Sequence, residues 1–148
     1  MNSRWFCHRI VLGSILIIQF LVSLPLVFGW SAVWDEPGHL VAGIEHWRTQ
    51  DFRLYSVNPP LARLWATLPV VLTQPTQSSG LLDSDAPFKR LEFSKGAEYF
   101  DRQPELALRA LQIARLANLV WPLLGTVLID VMACRCFGTW AGVTAAML

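Results

Sequence analysis

Twenty-five consecutive residues without a formal charge, Ile10 to Trp34, constrain this chain more than any other feature. As an α-helix at ~1.5 Å per residue the run reaches about 37 Å, against roughly 30 Å of bilayer hydrocarbon. Arg4, His8 and Arg9 precede it, which is also the positive n-region of a cleavable signal peptide. The run exceeds the roughly 7–15 residues of a signal h-region, and Gly29-Trp30-Ser31 is a poor cleavage site, so a retained transmembrane helix is expected. Pro25 is tolerable there, because neighbouring helices can satisfy the carbonyl it frees.

A second run, Leu116 to Cys134, lies between Arg115 and Arg135 and has 19 residues, enough to span. It carries Asn118 near one end and Asp130 near the other. A carboxylate at helix centre costs roughly 2.5–3.5 kcal/mol on insertion scales, so Asp130, about one turn from Arg135, reads as an interfacial acid that snorkels. With 53% hydrophobic and 16% charged residues and a mean hydropathy of +0.40, the chain is too apolar for a soluble domain. A net charge of +1 excludes a basic nucleic-acid binder. Three cysteines, Cys7, Cys134 and Cys136, exclude a disulfide-stapled scaffold; Cys134-x-Cys136 lacks a second ligand pair.

The expected fold is an all-α, multi-pass integral membrane protein with two transmembrane helices, a partial third, and a large outer loop carrying short interfacial helices. Arg4 and Arg9 place residues 1–9 in the cytoplasm by the positive-inside rule. Residues 10–34 form the first span, 35–112 the outer periplasmic or luminal loop, 113–134 the second span, and 135–148 an inner turn and third apolar segment. That last run has 11 residues from Gly138, about 16 Å as helix, so the chain is expected to be the front end of something longer. Membrane lipids, and further membrane helices from another chain, are the partners this topology calls for.

Within the loop, Asp35 to Arg48 reads as a short helix, with Leu40, Ile44 and Trp47 on one face, Asp35 as N-cap and Pro37 in the first turn. Asp51 to Asn58 reads as extended, Asn58-Pro59-Pro60 as a stiff turn, and Leu61 to Leu72 as a short helix, apolar except Arg63 and Thr67, resting on the membrane surface. Thr73 to Arg102 reads as polar loop, and Pro104 to Arg115 as the helix that enters the second span.

A carboxylate at the first span's mouth, Asp35 or Glu36, can act as a base on a hydroxyl presented at the membrane surface. The plainer reading is that Asp35 caps the helix and Glu36 is a solvated first-turn acid. Asp35, His39 and His46 fall near one helical stripe, with Glu36 close to His39, so a divalent ion is the one cofactor class left open, without an assigned ligand set. The plainer reading of both histidines is interfacial, and Glu45-His46 adds nothing specific. Arg109 and Arg115 can meet lipid phosphates or simply anchor the helix at the interface.

Trp34-Asp35-Glu36-Pro37-Gly38-His39, with Gly43, Trp47 and Asn58-Pro59-Pro60-Leu61, resembles the start of the GT-C superfamily of membrane glycosyltransferases, of the protein O-mannosyltransferase and aminoarabinose-transferase type. Ala114-Arg115-Leu116 and Arg135-Cys136-Phe137-Gly138 resemble that family's second span and short inner turn. The resemblance implies a polyprenyl-phosphate-linked sugar as donor and inverting transfer onto an acceptor hydroxyl. It makes Asp35 the general base, with Glu36 supporting it electrostatically or binding acceptor or metal. His39, Asn58, Pro59, Pro60, Arg109 and Arg115 become the substrate-binding candidates. Family members have many more spans, so this part alone is expected to be inactive. The reading from another class is a small polytopic scaffold that does no chemistry.

Overall fold

The computed structural model describes residues 3–74 and 90–148, with side chains from Phe6 onward. Among these residues the chain is helical apart from turns and short links: α1 Ser3–Gly29, α2 Glu36–Thr49, a 3₁₀ turn Arg53–Tyr55, α3 Leu61–Thr73, α4 Leu91–Arg102, α5 Pro104–Asn118, α6 Val120–Phe137 and α7 Thr139–Met147. Two stretches are long and apolar enough to cross a membrane, Phe6–Gly29 and Pro104–Phe137. The chain divides into two compact units, residues 1–29 with 119–148, and residues 30–118.

In the first unit, α1 runs through Pro25 without interruption and ends at Gly29, five residues short of the expected end at Trp34. Its side chains point outward: Ile17, Ile18 and Val22 are at least 60% exposed, as are Met132 on α6 and Trp140 on α7. Such surfaces suit a hydrocarbon solvent, where burial between helices is not needed for stability. Polar side chains also meet between these helices. Thr126 Oγ1 on α6 donates to Gln19 Oε1 on α1 at 3.0 Å. Asp130 does not snorkel towards Arg135. It is 2% exposed and lies 2.9 Å from Nε2 of His8 on α1, itself 7% exposed.

In the second unit, α2 sits between other helices and is buried on more than one face. Leu40 and Ile44, on the expected face, join Ala66 and Val70 of α3 and Ala110, Leu111 and Ala114 of α5. Val41 and Ala42, one step round the helix, pack with Leu54 and Tyr55 against Phe93 and Tyr99 of α4. Trp47 is half-buried and donates its indole N–H to the Leu64 carbonyl at 2.8 Å. Gln50, at φ 57°, ends α2 in the left-handed region, its N–H bonding back to the His46 carbonyl.

Three expectations for this unit are corrected. The stretch 51–58 is not extended: Arg53–Tyr55 coil into a 3₁₀ turn, helped by Asp51 Oδ1 accepting from the Arg53 N–H at 2.9 Å. The stretch 73–102 is not all loop: Leu91–Arg102 is helix α4. Its charges disguise it, since Glu98 pairs with Lys95 and Arg102 along one face while Glu92 and Gly96 turn inward. The remaining expected loop residues, 75–89, lie outside the described residues. Helix α3 starts at Leu61 as expected and ends one residue later than expected, at Thr73, but is not merely laid on a surface, since Arg63, Ala66, Thr67 and Val70 are buried in the unit.

Gly96 fixes how closely α4 approaches the start of α2. A Cβ there would lie 2.6 Å from the Pro37 carbonyl carbon and 2.8 Å from the Gly38 nitrogen, backbone atoms that cannot swing aside.

Candidate functional site

The two adjacent carboxylates Asp35 and Glu36 are in opposite states. Glu36 is held from three sides: Arg115 Nε donates to Oε1 at 2.9 Å, Arg115 Nη2 to Oε2 at 2.5 Å, and the Val33 N–H to Oε2 at 2.8 Å. Arg115 also donates Nη1 to the Trp30 carbonyl and Nη2 to the Ser31 carbonyl, each at 2.9 Å. Partial burial alone would raise the Glu36 pKa, but the Arg115 hydrogen bonds, the Val33 N–H and the guanidinium charge together hold it below its ordinary value. Glu36 is therefore an ionised anchor for the start of α2.

Asp35 is exposed, and among the described residues its carboxylate makes no hydrogen bond or ion pair. It stands at the N-cap position, as expected, but with helical angles (φ −85°, ψ −21°) and no side-chain capping bond. Glu36 supplies the reach back to Val33 instead, so the expected cap function of Asp35 is absent.

Beside Asp35 lies a chain of polar contacts that joins α2 to the Asn58-Pro59-Pro60 turn. His39 Nε2 is 3.5 Å from Tyr55 Oη, and Asn58 Nδ2 donates to the same oxygen at 3.2 Å. Partial burial, followed by the charge of Arg63, pushes the His39 pKa down, with Asp35 and Glu92 opposing, so the ring is neutral at pH 7. Arg63, 4% exposed, underlies the turn: Nη1 donates to the Tyr55 carbonyl at 2.7 Å, Nη2 to the Asn58 carbonyl at 2.5 Å, and the guanidinium stacks 4.1 Å from the Tyr55 ring centre. Pro59 is exposed and Pro60 is the N-cap residue of α3.

The fold thus joins His39 to Asn58 through the Tyr55 hydroxyl, with Asp35 one turn before His39 on the same helix start, pairs Glu36 with Arg115, and leaves Arg109 exposed on α5. A divalent ion does not fit at Asp35-Glu36, because a guanidinium and a backbone N–H already take both Glu36 oxygens. Among the described residues Asp35, His39 and His46 do not converge as a metal-ligand group either. Tyr55, Arg63 and Glu92 were not read as site residues from the sequence. The signal that could have found Arg63 is that it is the one charge in an otherwise apolar helix, where a buried guanidinium has to find acceptors.

His46 departs furthest from expectation. It is not interfacial but 0% exposed, with its ring 4.7 Å from that of Phe52. Both its ring nitrogens, and Oε2 of the 1% exposed Glu45, lack a protein hydrogen-bond partner among the described residues. Burial, then the positive charge of Arg63, lowers the His46 pKa to about 4 against the opposing charge of Asp51. Burial raises the pKa of Glu45, with Arg48 opposing.

Comparison of the chain with protein-family models, with curated proteins and with solved structures found no match.

Proposed function

We propose that this chain supplies the first span and the catalytic outer unit of a GT-C-type membrane glycosyltransferase, with the N-terminus cytoplasmic and residues 30–118 on the outer face. The observation that carries the reading is the contrast between the two carboxylates: Glu36 is locked to Arg115, whereas Asp35 is exposed and uncommitted beside a neutral His39. An uncommitted carboxylate can take a proton; one holding a guanidinium on both oxygens is a poor base.

In this reading Asp35 accepts the proton of an acceptor hydroxyl. The acceptor oxygen attacks the anomeric carbon of the lipid-linked sugar with inversion, the carbon–phosphate oxygen bond breaks, and polyprenyl phosphate leaves with the electron pair. His39 and Asn58 hydrogen-bond the acceptor, Pro59 and Pro60 keep the turn rigid, and exposed Arg109 is available to the lipid phosphate.

The test is Asp35→Asn in membranes carrying the active transferase. Transfer should fall roughly 10²–10⁴-fold with insertion and expression unchanged, because an amide cannot accept the proton. Glu36→Gln should cost less in the chemical step. Near-wild-type turnover by Asp35→Asn would return the weight to the scaffold reading. A cysteine introduced by Ser94→Cys, exposed on α4, should react with an impermeant maleimide in intact cells; reaction only after lysis would reverse the orientation.

A further inference from the structure

Outside this site, the first unit contains three buried or half-buried side chains of metal-ligating type gathered from the start of α1 and the end of α6. His8 Nε2 and Asp130 Oδ1 are 2.9 Å apart, His8 Nε2 and Cys134 Sγ 3.5 Å, and Cys134 Sγ and Asp130 Oδ1 3.8 Å. We propose that His8, Asp130 and Cys134 bind one divalent cation of the zinc class.

The spacing fits such an ion. Zinc bonds of about 2.0–2.1 Å to nitrogen or oxygen and 2.3 Å to sulfur, at tetrahedral angles, set the ligand atoms about 3.3–3.6 Å apart. A triangle with the three measured sides has a circumradius of about 2.0 Å, so an ion slightly out of its plane reaches all three atoms at normal bond lengths. Only the His8–Asp130 edge has to open, by a few tenths of an ångström, when the hydrogen bond gives way to two metal bonds.

Charge favours the same occupant. A carboxylate, a thiolate and a neutral imidazole carry two negative charges, and a dication brings the sum to zero, which suits an apolar, membrane-length helix. On binding, the Cys134 thiol proton passes to solvent as the metal–sulfur bond forms. The mixed N, O, S donor set suits a borderline-soft ion and not magnesium or calcium.

Helix α7 closes the site. Gly142 is buried against it, and a Cβ there would lie 2.2 Å from Cys134 Sγ and 2.8 Å from Asp130 Oδ1. A glycine is the residue that lets the backbone of α7 cover the ligands without displacing them. Three protein ligands leave a fourth position for water or another small donor.

The test uses the full chain in detergent, stripped with a chelator and titrated with Co²⁺. One equivalent should produce a thiolate-to-cobalt absorption band, displaced by Zn²⁺. Cys134→Ser should abolish the band, His8→Gln and Asp130→Asn should each weaken binding about tenfold or more, and Cys7→Ser with Cys136→Ser should leave it unchanged. In that last double variant Cys134 is the sole thiol, so Zn²⁺ should slow its alkylation about tenfold without any change to the ligand set. Alkylation at one rate with and without Zn²⁺, or a cobalt band that survives Cys134→Ser, would overturn the proposal and leave the three side chains as a hydrogen-bonded cluster.

Discussion

His46 gives the second unit a pH dependence whose size follows from its surroundings. The unfolded chain takes up a proton near the ordinary histidine value of 6.5, whereas the folded unit does so only near 4. Stability from this group is therefore fully present above about pH 6.5 and is lost as the pH falls towards 4, because the unfolded state binds the proton first. The total loss is about 3 kcal/mol, of which about 2 kcal/mol has gone by pH 5. Glu45 works in the opposite direction: its raised pKa means that the fold gains as the carboxylate is protonated. Arg63 and Asp51 also act on the His46 ring, with opposite signs. His46→Leu isolates the term, since it removes the titration and two orphan ring nitrogens at similar volume. Denaturant titrations of the detergent-solubilised chain, followed by amide exchange in α2, should show the stability of His46→Leu relative to wild type rising by about 2 kcal/mol from pH 7.5 to pH 5. At pH 7.5 the variant should be no less stable than wild type, because a buried polar group without a partner costs about 1–3 kcal/mol. Parallel curves for the two proteins across this range would refute the assignment of a buried, neutral His46.

Gly96→Ala should destabilise the second unit by about 1–3 kcal/mol by driving α4 off Pro37, read as faster amide exchange in the first turn of α2. Arg63→Met should free the Tyr55 and Asn58 carbonyls and cost about 3 kcal/mol, seen as limited proteolysis within residues 53–60. Arg115→Met should raise the Glu36 pKa from its lowered position towards or above 4.5, followed by the carboxylate infrared band. The sign matters here: the stability that Glu36 contributes in wild type is present above its ordinary pKa and is lost as the pH falls, and the variant should lack that loss.

Much of this architecture is written in local pattern. The charge-free run of α1, the Pro-Pro start of α3 and the Leu40–Ile44 face of α2 all follow from periodicity and helix-start chemistry; α3 starts and α2 packs where expected, while α1 runs from Ser3 to Gly29 instead of 10–34. Helix α4 was hidden because its inward face is made of Glu92, Gly96 and half-buried aromatics instead of an aliphatic stripe. The depth of α2 was hidden for a different reason. Burial of His46 and Glu45 depends on which helices return to cover it, and spacing within α2 carries no record of that. Asp130 follows the same rule, since its partner lies 122 positions away in the chain. At the site, Asp35 and Asn58 could be nominated from sequence, but the division of labour between Asp35 and Glu36 rests on Arg115, whose distance in sequence gives no hint of it.

Two arginines in the second unit each give two hydrogen bonds to main-chain carbonyls: Arg63 to Tyr55 and Asn58, Arg115 to Trp30 and Ser31. Irregular backbone ordinarily relies on water to satisfy such groups, and water thins out among lipid headgroups. Here the guanidinium stands in for the solvent, carried within the protein and fixed in place. The non-helical segments Trp30–Trp34 and Ser56–Pro60 can thereby keep their shape where water is scarce, which is what the proposed reading asks of a surface where a lipid-borne reactant and an exposed Asp35 would have to meet.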